Sequence, residues 1–486
     1  MGILHRREYF QQVAGGLCGA ALAHLFASDL LAALPAGNEP FGNGARPSPA
    51  ASAPRMLSRF GQARSVVHLF MNGGPSQMDL FDPKPALERH HGEPHFDKIA
   101  GEVEFPMAAG ALMRSMFAFQ QHGQCGMWIS SALPHLARHA DDIALLRGMY
   151  TTNLTHEPAI FKVHSGQEVT GHPSLGSWVT YGLGSENQNL PAYVVLDDPK
   201  GLPINKTQSW SNGYLPPLYQ GTRFRSTGSP VLNLKPDYEE PTAITAQARN
   251  LLRRIDRHHL AEHPHLPQLE ARLESYELAA RMQLAAADAV DLSGETEATL
   301  QMYGIGKEPT DSYGRRCLLT RRLIERGVRF VQLFIDGQIW DNHTGLADSL
   351  KTACDRTDLP IAGLLADLKQ RGLLESTLIV WGGEFGRLPI AQLPDDKDEK
   401  KAGRDHNKNA MVSWMAGGGV KGGITYGETD ELGFAAVAEK VSVPDWHATI
   451  LYLSGLEHDT LFFLRNGLRN RLTGVNEARV VSEILA

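Results

Sequence analysis

Asp341 and His343 stand two residues apart behind a run of strand-forming residues, and Glu384 and His406 fall in two further loops. In an extended segment a two-residue spacing puts both side chains on one face. A carboxylate and an imidazole presented together suit Zn²⁺ or a similar divalent ion. With Glu384 and His406 added, the oxygen and nitrogen donors fill a coordination set for one cation or a pair of them. Asn72 or Asp79 would approach from another strand end. Such a cation polarises an ester oxygen or activates water. Other groups suit an anion. Thr155-His156 opens a short helical stretch that Gly166 closes, and a helix N-terminus after a strand favours negative charge. Arg387, three residues past Glu384, has the fork geometry to clamp an anion through two hydrogen bonds. The His258-His259, His263, His265 group is a weaker metal candidate, with prolines around it and no expected carboxylate arrangement. His447 is expected to orient the last helix.

These residues need a scaffold that gathers distant loops. Thr377-Leu378-Ile379-Val380-Trp381 is apolar and rich in β-branched and aromatic residues, as expected of a buried parallel strand. It ends at Gly382-Gly383, so Glu384 sits just past a strand's carboxyl end, where ligands of open α/β sheets bind. A helical pattern over Leu359–Arg371 precedes it and stops at Gly372. Further strands are expected at Ser65–Met71, Ile143–Met149, Ala192–Leu196, Val328–Ile335 and Met411–Ala416. Helices are expected at Ser131–Ala140, from Thr155 or His156 to His164, from Ser174 to Tyr181, over Gln268–Ala289, over Asp311–Gly327 and from Pro444 or Asp445 to Leu453. Strands alternating with helices predict an α/β fold: a doubly wound, mostly parallel sheet flanked by helices. The first strand runs into Asn72-Gly73-Gly74-Pro75-Ser76, whose glycines allow close backbone approach. From about 197 to 310 an irregular and then helical insertion interrupts the alternation, a candidate cap over the site.

The chain has 486 residues, 42% hydrophobic and 21% charged, with a net charge of −7 and no basic stripe. That balance argues against nucleic acid as partner. Its four cysteines form no CxxC pattern, and the three outside the leader are too scattered for a disulfide framework. Arg6-Arg7 before the apolar stretch Val13–Leu34 reads as a twin-arginine export signal over 1–35, which implies the twin-arginine machinery as partner and a periplasmic or extracytoplasmic location. Asp29 and His24 make that stretch a poor permanent anchor. A Gly/Pro/Ala/Ser-rich linker over 36–63 leads to a domain over 64–486.

Several long motifs resemble the exported domain-of-unknown-function family 1501. They are Asn72–Pro85, Trp340-Asp341-Asn342-His343, Gly382–Arg387, Gly403-Arg404-Asp405-His406-Asn407 and Asp445–Leu451. The resemblance implies an alkaline-phosphatase/sulfatase-like fold with metals at the strand ends. His156-Glu157-Pro158-Ala159 is similar in place to the Cys-x-Pro-Ser-Arg of sulfatases. It has no cysteine, which excludes a formylglycine nucleophile in that register and turns attention to Thr155 beside His156. Glu384-Phe385 replaces a superfamily Asp-His metal pair, and Asn72 replaces a first-strand Asp. The expectation is an exported, metal-dependent hydrolase of sulfate or phosphate esters. Asp341, His343, Glu384 and His406 would hold a divalent ion (Zn, Ca, Mg or Mn). Thr155, His156 and Arg387 would be catalytic, and Asn72 and Arg387 would bind a small-molecule or glycan ester. The competing expectation is a non-catalytic binding or assembly protein on the same scaffold.

Overall fold

A computed structural model describes residues 61–225, 231, 242–263 and 267–486. The expected signal and nearly all of the linker lie outside the described residues, as does His265. The sheet strands are β1 (Ser65–Phe70), β2 (Ile143–Tyr150), β3 (Tyr193–Leu196), β4 (Thr222–Arg223), β5 (Phe330–Phe334), β6 (Thr377–Gly382), β7 (Met411–Ala416), β8 (Ile424–Tyr426) and β9 (Val441–Ser442). They form one nine-stranded sheet in the order β8-β2-β7-β6-β1-β5-β3-β4, with β9 also on β2. Every pairing is parallel except those of β7, which runs against both β2 and β6.

Helices α1 (His156–Ser165), α2 (Leu175–Leu183), α3 (Thr242–Glu262), α4 (Pro267–Val290), α5 (Asp311–Glu325), α6 (Leu346–Gln370) and α7 (Val443–Leu453) accompany the sheet. The doubly wound expectation is met, because β1 feeds two cores. Val67 and Leu69 pack into one with α5 and α6 residues such as Leu318 and Leu364. Val66 and Phe70 pack into the other with Ile160, Trp178 and Ile450 from α1, α2 and α7. That is why β1, β5 and β6 are buried along their whole length and read as largely apolar runs, interrupted only by polar residues such as His68 and Gln332.

Two expectations change. The helix before β6 starts at Leu346, well ahead of Leu359, and carries Pro360 in its interior. Between Ser131 and Ala140 the chain forms a 3₁₀ segment, Leu136–Asp142, where an α-helix was expected. Its entry is fixed by the Asp358 carboxylate, which accepts from the His135 and Leu136 backbone N–H groups at 2.7 and 2.8 Å. In the insertion, β4 extends the sheet beside β3. Asn205 in the same insertion donates its amide to the Glu157 carbonyl at the start of α1, 2.9 Å away.

Candidate metal centre

The first turn of α1, the β5–α6 loop and a short ladder after β6 bring four groups together. His156 is the first residue of α1. Asp341 and His343 lie in the loop after β5, in an irregular turn in place of the expected extended segment. His406 belongs to the strand pair Gly386–Arg387 with His406–Asn407, where it faces Arg387. One ligand atom from each of His156, Asp341, His343 and His406 lies within 4.8 Å of the others. The Asp341 carboxylate is the hub: His343 Nε2 is 2.8 Å away, His406 Nε2 3.2 Å and His156 Nε2 3.3 Å.

On its other side each imidazole meets an oxygen acceptor. His156 Nδ1 is 2.7 Å from Glu384 Oε1, His343 Nδ1 is 2.5 Å from Gln392 Oε1, and His406 Nδ1 is 2.5 Å from Glu104 Oε2. A carboxylate or an amide oxygen only accepts, so each Nδ1 carries the proton and donates it. In the neutral ring Nε2 is then a lone pair. All three lone pairs face the Asp341 carboxylate, which repels them unless a proton or cation intervenes. His156 Nε2 is buried and has no hydrogen-bond partner despite its closeness to Asp341. Metal-binding histidines have this anatomy, with the outer nitrogen fixed by an acceptor and the inner one bare. The donor set therefore fits a cation.

Charge follows the same geometry. Burial opposes a positive His156, but the neighbouring Asp341 and Glu384 carboxylates outweigh it and raise its pKa to about 9. Burial likewise opposes an ionised Asp341, yet the three imidazoles and the Arg387 guanidinium hold it far below the usual carboxylate range. Glu104 is lowered, chiefly by its hydrogen bond to His406. Phe385 stands 4.8 Å from the His156 ring and 4.4 Å from His406, while Phe105 meets His343 edge-on at 5.2 Å.

Three sequence assignments are corrected by these contacts. Glu384 is fully buried and meets His156 and the Gly73 N–H (2.9 and 3.1 Å to its two oxygens), so it stands behind the cluster, and His156 is the residue that joins Asp341, His343 and His406 there. Arg387 is 1% exposed. Its guanidinium donates to the carbonyls of Gly73, Gly74 and Arg404 and to Asp341 Oδ1, so its donors are spent inside the protein behind the Asp341 carboxylate. Asn72 is fully buried, with its amide given to the Ile335 and Gly337 carbonyls at 2.8 Å each, so it ties β1 to the β5 loop. Thr155 is exposed at the N-cap of α1, and its side chain makes no capping bond.

Glu104 and Gln392 were missed. Neither lies in a periodic segment or a motif, and no signal in the sequence marks them. Gly73 explains part of the tight assembly. It has φ +112°, and a Cβ there would collide with the backbone of Asp341. The group dismissed from sequence does have a carboxylate: His259, Glu262 and His263 lie together near the end of α3, exposed or half-buried. His447 is structural, with Nε2–H donating to the Val163 carbonyl at 2.7 Å.

Fold and site together define an α/β protein with a three-histidine, one-aspartate cluster at the carboxyl end of its sheet. The chain belongs to the family described as Protein of unknown function (DUF1501), matched over residues 63–485. No curated protein matches it. Among solved structures it is similar to the lipoteichoic acid synthase LtaP from Listeria monocytogenes, at 9% identity over 84% of this chain and 78% of that one, TM-score 0.38. It is also similar to alkaline phosphatase from the Antarctic bacterium TAB5, at 12% identity over 81% and 98%, TM-score 0.32. A third is the PsFucS1 sulfatase from Pseudoalteromonas sp., at 11% identity over 81% and 68%, TM-score 0.32.

Proposed function

We propose that the protein is an exported metal-dependent hydrolase of sulfate or phosphate esters, with His156, Asp341, His343 and His406 as the metal ligands. The observation that carries the metal reading is the trio of Nε2 lone pairs turned on one carboxylate while every Nδ1 is engaged outside. Three nitrogens and one carboxylate oxygen suit Zn²⁺ or another transition ion better than Ca²⁺ or Mg²⁺, which take oxygen donors. Bound there, the ion would supply Lewis-acid polarisation of an ester oxygen. Glu384, Gln392 and Glu104 keep the imidazoles aimed. Arg387 keeps Asp341 ionised and in place. Thr155, exposed at the start of α1 beside His156, is the proposed nucleophile, and the free N–H groups of that helix start would receive the anion. Export by the twin-arginine route rests on Arg6-Arg7 and the apolar stretch after them. Among the described residues no helix is long and apolar enough to cross a membrane.

The test is bound metal measured by plasma mass spectrometry, together with turnover of aryl sulfates and aryl phosphates. One transition ion per chain is expected, lost in His343→Ala, with hydrolysis of one ester class. Thr155→Ala should remove turnover and leave metal content unchanged. Stoichiometric metal without turnover of either ester would favour the binding or assembly alternative. Equal metal content in the native chain and in His343→Ala would refute the ligand set.

A further inference from the structure

Helix α3 has no part in the metal centre, yet its surface is unusual. Ile244, Leu251, Leu252 and Ile255 are 52, 54, 58 and 54% exposed. At 3.6 residues per turn they fall on one stripe along the helix. Arg249 and Arg254 lie on the two flanks of that stripe, with Arg253 and Arg257 behind. Against these four arginines the helix carries two carboxylates, Asp256 and Glu262, in a chain whose net charge is −7. The helix runs for 21 residues and packs chiefly on α4.

We propose that α3 lies in the surface of an anionic lipid bilayer, with Ile244, Leu251, Leu252 and Ile255 among the acyl chains and its arginines on the lipid phosphates. A narrow aliphatic stripe beside a remainder in which arginines outnumber carboxylates is the mark of a helix that lies in the interface plane. Arginine suits that position because its apolar stem lies along the stripe while its guanidinium reaches the headgroups. Charge decides between a bilayer and a second copy of the chain. Face-to-face pairing of two α3 helices would set flanking arginines near one another, whereas anionic headgroups complement them. The proposal is independent of the metal centre.

Flotation of the full chain with vesicles tests it, comparing phosphatidylcholine alone with phosphatidylcholine mixed with phosphatidylglycerol. The chain should float with the anionic vesicles and stay behind with the neutral ones. Leu251→Asn with Ile255→Asn, and separately Arg253→Gln with Arg257→Gln, should each lower the bound fraction by about tenfold. High salt should erase the second effect and spare the first. Metal content serves as the control for folding and should not change. Equal binding to both vesicle types overturns the proposal. So does undiminished binding by the α3 variants, which would assign the membrane contact to the apolar residues before Pro35. A dimer in solution that Leu251→Asn with Ile255→Asn dissolves would assign the stripe to a second copy.

Discussion

Helix α1 holds two histidines with opposite fates. At its first residue His156 lies between Glu384 and Asp341, and its pKa is raised to about 9. At its other end His164 donates Nδ1–H to the Ile160 carbonyl, 2.8 Å away, and leaves Nε2 without a partner. His164 packs edge-on to Phe70 at 4.4 Å and lies 5.6 Å from the ring of His68. Burial pushes His164 down to about 4 and His447 to about 3, and holds His68 well below its ordinary value. Burial opposes charge on His156 as it does on His68, His164 and His447. What separates them is the neighbours: carboxylates at the strand ends, aromatic rings and main-chain carbonyls in the core. A histidine joins the cluster in this fold where an acceptor fixes its outer nitrogen and the Asp341 carboxylate faces the other.

The most severe way to break that contrast is Asp341→Asn. It removes the charge at which the imidazoles converge and leaves the buried Arg387 unpaired, a loss of about 3–5 kcal/mol. Metal should vanish, and denaturant melts should show the destabilisation. Next comes Glu384→Gln, which keeps the shape around His156 but weakens its anchor. Metal affinity, read by chelator competition, should fall about 10–100-fold without being abolished. A complete loss would make Glu384 a ligand after all. Glu104→Gln should act in the same direction through His406.

Smaller effects come from pH. His68, His164 and His447 are neutral in the folded chain, whereas their unfolded counterparts take up protons below about pH 6.5. Their contribution to stability is therefore full above that pH and is lost as pH falls toward their folded values. The slope is at most about 1.4 kcal/mol per pH unit for each histidine. His164→Phe should flatten the acid limb of a stability profile. In the metal-free protein His156 acts with the opposite sign. Its contribution is full below about pH 6.5 and fades as pH rises through about 9, so His156→Gln should flatten the alkaline limb.

The sequence made the sheet legible because β1, β5 and β6 are buried on both faces and read as largely apolar runs. It also drew attention to Asp341, His343 and His406, which lie in motifs and come together in the fold. It did not place Glu384 behind His156, since spacing along the chain does not say which of two neighbouring acceptors faces the cluster and which backs an imidazole. His156 was taken for a helix-start residue with a catalytic part. Its place in the cluster depends on α1 starting against the β5 loop, a packing relation that no local pattern encodes. Glu104 and Gln392 were invisible for the same reason. Arg387 looked like a surface clamp because arginine is seldom buried, and here a set of main-chain carbonyls keeps it inside.

The cluster draws on residues from 156 to 406, and the Gly73 N–H that meets Glu384 lies earlier still. A ribosome-bound fragment lacking the last of these has no complete set of donors. Under the metal reading, isotope incorporation during synthesis would begin only after His406 has emerged, and would timestamp that moment.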